Sequence, residues 1–190
     1  LDTRIWGTYA KRKGVAIWAM HYSNLVLIEE PSDITEELIH KAVSSQMGER
    51  ADWWDWWQIG GRWTGLWDGY DPSADPTNIK PCDLCAGTGK RPDAECVNGC
   101  NGCNGTGKSQ KWPTQWRFRV QDVIPVELVT EEHYSKIHRV VCDEGSFASE
   151  RYTPWKEDIH EKFPKLEMPP LEWLKERHKG QLAVIVDNHN

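Results

Sequence analysis

Long apolar runs are missing from this chain of 190 residues. None approaches the roughly 20 residues that carry a helix through a bilayer, so the sequence offers no membrane-spanning helix and the reading is of a protein without a membrane partner. Positive charge is scarce: 23 Lys and Arg stand against 29 Asp and Glu, a net charge of −6. A general nucleic-acid binder needs a positive surface that releases phosphate counterions, and the one basic cluster, Arg4 with Lys11-Arg12-Lys13, is short. Nucleic acid is therefore a disfavoured partner. Phosphate-loop, nucleophile-elbow and dinucleotide signatures are also lacking, so no catalytic residue is assigned. The first residues, Leu1-Asp-Thr-Arg-Ile, carry no targeting pattern, and the expected location is the reducing cytoplasm of a bacterial cell. Phe and Met are sparse at 3 each, whereas 12 Trp supply much of the potential core area.

Cysteine is present in a pattern. Cys82-Asp-Leu-Cys85-Ala-Gly-Thr-Gly89 is repeated as Cys100-Asn-Gly-Cys103-Asn-Gly-Thr-Gly107, each followed by Lys. A turn between cysteines two residues apart aims both sulfurs at one ion, and two such pairs complete a tetrahedral site. Glycine after each pair permits the sharp left-handed turn that must follow. One structural zinc held by Cys82, Cys85, Cys100 and Cys103 is the expectation; four thiolates leave no open position for catalysis. Disulfides or a redox pair are the alternative, and they do not require the glycines. Cys96, without a Gly-Thr-Gly tail, is expected as a free thiol or one beside the ligands, and Cys142, in Val140-Val141-Cys142, as a buried strand residue.

The repeat resembles the zinc-binding module of the J-protein (DnaJ-type) co-chaperones, over about residues 80 to 109. Those proteins carry four repeats and two zincs; two repeats suffice for one ion, and no His-Pro-Asp signature accompanies them here. The resemblance implies the metal fold and protein contacts, without the activation of an Hsp70 partner.

Elsewhere, periodicity predicts a helix over Ile34–Val43, with Asp33 and Glu36 opening it as in a capping box. A second helix is predicted over Pro170–Lys179, with Pro at its start and Gly180 beyond its end. Val15–Ile28 reads as one long strand or a hairpin turning at Ser23-Asn24. Gln58–Trp67, broken at Gly60-Gly61 by a bulge or turn, Trp112–Val120 and Val123–Val129 read as extended, Thr130–Ile137 as a short helix, Arg139–Tyr152 as a hairpin, and Gln181–Asp187 as a final strand. The expected fold is α+β, an antiparallel or mixed sheet with helices on one face. Residues 1–79 and 110–190 would form the core domain, and 80–109 a zinc-knuckle hairpin inserted between two sheet strands.

The densest aromatic stretch is Trp53-Trp-Asp-Trp-Trp-Gln-Ile-Gly-Gly-Arg-Trp-Thr-Gly-Leu-Trp67. With the later Lys-Trp-Pro-Thr-Gln-Trp it resembles a group of Trp-rich proteins of actinobacteria and their phages. More remotely it is similar to a phage-borne ferredoxin-like family with a Trp-Gly-x-x-Trp motif. The resemblance implies a ferredoxin-like fold and a mobile-element origin. It implies no reaction. These indoles sit in an acidic region, where Glu29 to Asp75 carries a balance of −8. The sequence thus points to a non-enzymatic interaction protein that binds a host protein, such as a defence component, and inhibits it. Trp53, Asp55, Trp57, Arg62, Asp68 and Asp71 are the candidate partner-binding residues, with the Trp residues alternatively part of the core. Two other readings stand beside this one: an accessory protein touching nucleic acid through its basic arm, and an enzyme. In the latter Asp68, Asp187 and His189, with His21, Asp55 and Arg62, would converge if the first and last strands are sheet neighbours.

Overall fold

The computed structural model describes residues 9–12, 15–18, 21–48, 56–91, 99–149 and 166–189, the first two spans and Leu166 as backbone. The chain divides into two compact units, Leu1–Gly69 with Phe118–Asn190, and Tyr70–Arg117. Trp53, Asp55 and Cys96 lie outside the described residues.

The larger unit is built on a mixed sheet. Strands β1 (Tyr9–Arg12) and β2 (Val15–Trp18) form a separate antiparallel pair. The main sheet contains β3 (His21–Ile28), β4 (Trp56–Ile59), β7 (Val123–Pro125), β8 (Arg139–Cys142), β9 (Gly145–Ala148), β10 (Leu166–Glu167) and β11 (Leu182–His189). Its order is β10-β9-β8-β3-β11-β4. The far edge of β11 is shared end to end, by β7 opposite Leu182–Val184 and by β4 opposite Val186–His189. The β3/β8 and β9/β10 pairs are parallel and the others antiparallel.

Both faces of the central strands are apolar, and helices cover both. On one face Val26, Ile28, Val184 and Val186 pack with Ile39, Val43 and Met47 of α1 (Glu36–Met47). On the other, Leu25, Leu27, Ala183 and Ile185 pack with Val126, Val129, Ile137, and Leu171 and Leu174 of α3 (Leu171–Arg177). The expectation of helices on one face is thereby corrected. Leu-Val-Leu-Ile in β3 and Leu-Ala-Val-Ile-Val in β11 are continuous apolar runs, and a strand hydrophobic on both sides must be buried on both. Each large side chain so buried contributes about 1.5–3 kcal/mol.

Other boundaries shift for local reasons. The N-cap of α1 is Thr35, whose Oγ1 accepts from the Leu38 N–H at 3.3 Å, while Asp33 accepts from the Ile34 N–H. Ser23 and Asn24 sit fully buried in the middle of β3, and no turn occurs there. A four-residue helix α2 (Glu131–Tyr134) follows the cap Thr130, and Gly180, at φ +84°, follows α3. The break expected at Gly60-Gly61 is present, but the strand does not resume after it: β4 ends at Ile59, and Gly60 and Gly61, at φ +68° and +53°, start a 3-10 turn over Gly61–Trp63. Trp112–Val120 is not a strand either; it holds a 3-10 turn at Pro113–Gln115.

In the smaller unit, β5 (Ile79–Pro81) and β6 (Lys108–Gln110) form an antiparallel stem. Residues 70–78 pack on it: buried Asn78 donates to Tyr70 Oη and the Pro72 carbonyl, and its own carbonyl accepts from the Lys111 N–H at 2.7 Å.

Candidate metal centre and a histidine–aspartate cluster

The two cysteine repeats adopt nearly the same backbone and interlock. Gly87 N–H donates to the Cys82 carbonyl at 3.2 Å, and Gly105 N–H to the Cys100 carbonyl at 3.0 Å. Thr88 Oγ1 donates to the Cys85 carbonyl and Thr106 Oγ1 to the Cys103 carbonyl, both at 2.7 Å. Between repeats, Cys82 N–H donates to the Gly107 carbonyl at 2.9 Å and Cys100 N–H to the Gly89 carbonyl at 2.7 Å. A Cβ on Gly89 would overlap the carbonyl oxygen of Gly105, and one on Gly107 that of Gly87. The second glycine of each motif is thus required by the other repeat's backbone as well as by its own positive φ.

This frame gathers four buried sulfurs. Cys82 and Cys100 Sγ lie 3.9 Å apart and Cys85 and Cys103 Sγ 3.8 Å apart; all four fall within 4.8 Å of one another. A tetrahedron of sulfurs about 2.3 Å from a central zinc has edges of about 3.8 Å, whereas a disulfide holds its sulfurs at about 2.05 Å. Backbone N–H groups of Gly89 and Gly107 point at Cys85 and Cys103 Sγ, at 3.3 and 3.2 Å, as donors that stabilise thiolates. Burial pushes the Cys100 thiol up to about 11. In Cys103 burial acts the same way but is outweighed by the Gly107 N–H and the adjacent sulfurs, which bring it down to about 7. A divalent cation fits this donor set. Cys142 is buried at the end of β8 in the larger unit, apart from the four.

A second constellation lies in the larger unit, where the pairing of β11 with β3 and β4 sets His189 opposite both His21 and Trp56, and Asp187 opposite Ser23 and Gln58. Asp187 is fully buried. One carboxylate oxygen meets His21 Nδ1 at 2.9 Å and the other accepts the Arg62 backbone N–H at 2.9 Å. The His21 and His189 rings are 4.9 Å apart, centre to centre, and the Trp56 indole stacks on His189 at 5.2 Å.

Gly60-Gly61 is explained by two buried carboxylates. A Cβ on Gly61 would strike the Asp187 side chain and stand 2.5 Å from Gln58 Nε2. A Cβ on Gly60 would stand 2.5 Å from Asp122 Oδ2. Asp122 in turn accepts from Thr64 Oγ1 and, at 2.9 Å, from the Gly65 N–H, while its main-chain carbonyl accepts Trp67 Nε1 at 3.0 Å. Burial raises the Asp122 pKa above the ordinary carboxyl value despite these bonds.

The sequence candidates are dispersed. Trp57 is half-buried, packs on the α1 side of the core and stacks on His40 at 4.8 Å. Trp63 and Trp67 pack on the opposite side. Asp68 pairs with Arg119 at 2.6 Å, and Asp71, in the smaller unit, accepts from Ser73. Of the acid–base candidates, Asp187, His189 and His21 come together, joined by the Arg62 backbone, whereas Asp68 pairs with Arg119. Trp56 and the Gly61 clasp were not singled out, although the alternation of Trp with Asp and Gln in 53–58 was the available signal. A partly buried Ser23–His138 hydrogen bond of 2.8 Å also went unforeseen, because it joins residues 115 apart. Comparisons with family models, curated proteins and solved structures give no match for this chain.

Proposed function

We propose that the chain is a zinc-stabilised interaction protein of phage or mobile-element origin, which binds and inhibits a host protein in the bacterial cytoplasm. The observation that carries this reading is the display of apolar side chains on the four-cysteine unit. Leu84 is 55% exposed and Trp112 64% exposed. Leu84, inside the first knuckle, lies across the second at Gly102, where a Cβ would come 2.5 Å from Leu84 Cδ1. A loop fixed by metal and by reciprocal glycine packing gives up little conformational entropy when it docks. Zinc is the ion proposed, since tetrahedral sulfur donors suit it and a knuckle unit this small gains its folding free energy from the metal. The resemblance of the knuckles to J-protein modules supports protein contacts. A ferredoxin-like ancestry is part of this proposal, supported by the antiparallel β11/β3 and parallel β3/β8 pairing of the central strands.

The test is affinity capture from actinobacterial lysate with the wild type and with a Leu84→Asp/Trp112→Ser variant, at low and high salt. A stoichiometric protein retained by the wild type and lost in the variant, with metal content unchanged, is the expected result. Absence of any retained protein, or equal capture by the variant, refutes the reading.

A further inference from the structure

We propose that His21, Asp187 and His189 form a proton-transfer site that cleaves ribonucleoside phosphodiesters, an activity separate from the docking role of the zinc unit. The argument starts from Asp187. A carboxylate with no solvent exposure is costly unless its oxygens are satisfied, and here each oxygen has one donor, His21 Nδ1 and the Arg62 N–H. With Nδ1–H committed to Asp187, the neutral His21 ring keeps its lone pair on Nε2, and the buried carboxylate stabilises the imidazolium that forms when Nε2 takes a proton. That is the orienting role a carboxylate plays toward a general-base histidine. His21 retains 10% side-chain exposure, so the ring borders solvent.

Next to this base stands a second imidazole. The sheet register places His189 opposite His21, and Trp56 stacks on it at an interplanar angle of 13°, so its orientation is held by packing. Two adjacent imidazoles, one oriented as a base, suit reactions in which one proton leaves a nucleophile while another reaches a leaving group. A substrate that carries its own nucleophile suits this pair. Ser23, the serine opposite Asp187 in the register, is fully buried and its Oγ donates to the Lys136 carbonyl at 2.6 Å.

An RNA phosphodiester carries its own nucleophile, the 2′-hydroxyl. His21 Nε2 removes the 2′-OH proton as O2′ attacks phosphorus; the O2′–P bond forms and the P–O5′ bond breaks. His189, protonated, delivers its proton to the departing O5′. The products are a 2′,3′-cyclic phosphate and a 5′-hydroxyl, with no oxidant, reductant or co-reactant consumed, and solvent returns the proton from His21 to His189. The same chemistry serves a linear RNA or a cyclic oligoribonucleotide, and the acidic composition of the chain favours a short substrate over a long polyanion.

The full chain is incubated with a short single-stranded RNA, the matching 2′-deoxy oligonucleotide and a cyclic diribonucleotide, and the products are identified by mass spectrometry. Cleavage of either ribose substrate with 2′,3′-cyclic phosphate ends, and none of the deoxy control, is expected. Which ribose substrate is cut assigns the source. His21→Gln, which can still donate to Asp187, and His189→Gln should each lose about 100-fold or more in rate while melting within a few degrees of the wild type. Asp187→Asn should lose activity less steeply than His21→Gln. If folded wild type cleaves neither ribose substrate, cleaves the deoxy control equally, or if the His variants retain full activity, the proposal fails. Partner capture through Leu84 and Trp112 would be untouched by that failure.

Discussion

Replacing Gly61 with Ala tests whether the turn after β4 is built around Asp187. Two costs arise. An L-residue at φ +53° pays about 1–2 kcal/mol for the left-handed conformation, partly offset by about 0.4–1 kcal/mol from a stiffer unfolded chain. The new methyl would also overlap Asp187 Cβ and crowd Asp187 Oδ2 at 2.6 Å and Gln58 Nε2 at 2.5 Å. Relief requires the carboxylate or the turn to move, and movement breaks the Arg62 N–H bond to Asp187, a charge-assisted bond of about 1.5–3 kcal/mol. The total is about 2–4 kcal/mol against a typical domain stability of about 5–15 kcal/mol. Gly180→Ala supplies the control. Its φ is +84°, yet a Cβ there would meet nothing within 4 Å, so it pays the backbone cost alone, about 1 kcal/mol. Urea denaturation followed by tryptophan fluorescence, analysed for the larger unit, should separate the variants by about 2–3 kcal/mol, or about 1 M in midpoint at a slope of about 2–3 kcal/mol/M. A Gly61→Ala variant within 1 kcal/mol of Gly180→Ala would refute the clasp.

Elemental analysis of protein purified without chelator should give one zinc per chain. Cys82→Ser should lose the metal and the order of Tyr70–Arg117 while the larger unit keeps its far-ultraviolet dichroism; retention of zinc by that variant would dismiss the four-thiolate assignment. Asp122 carries a pH dependence whose sign follows from its raised pKa. The folded state holds this proton more tightly than the unfolded chain, so the group's contribution is fully present below the ordinary carboxyl range of about 4 and is lost as pH rises through the raised native value. The stability of wild type relative to Asp122→Asn should therefore fall between acid and neutral pH, and a rise over that window would contradict the burial argument.

Local chemistry made part of this molecule readable from its residues alone. The cysteine spacing announced a four-sulfur cluster, because each knuckle is a turn of eight residues whose glycines and threonines bond within the motif. Helices near 36–47 and 171–177 were legible from apolar periodicity and their end signals, and the last strand from its apolar run. The four-sulfur cluster needed only that two copies of one turn face each other. The rest depended on partners distant in the chain. Gly60 and Gly61 look like a generic bulge until Asp122 and Asp187 arrive from 60 and more residues away to occupy the space a Cβ would take. That β3 is buried on both faces is implied by Leu25–Ile28, but that one helix takes each face was settled by which connection crosses which side of the sheet. His189 is held in a ladder by pairing with β3 on one side and β4 on the other, partners far away in the chain. Whether His21, Asp187 and His189 meet is a question of strand register, and a slip of one residue would have sent Asp187 to the opposite face. The sequence by itself determined the residues and turns that gather the four sulfurs. The tertiary structure alone decided which carboxylate a histidine would face, because that pairing is set by strand order and register, which no local pattern encodes.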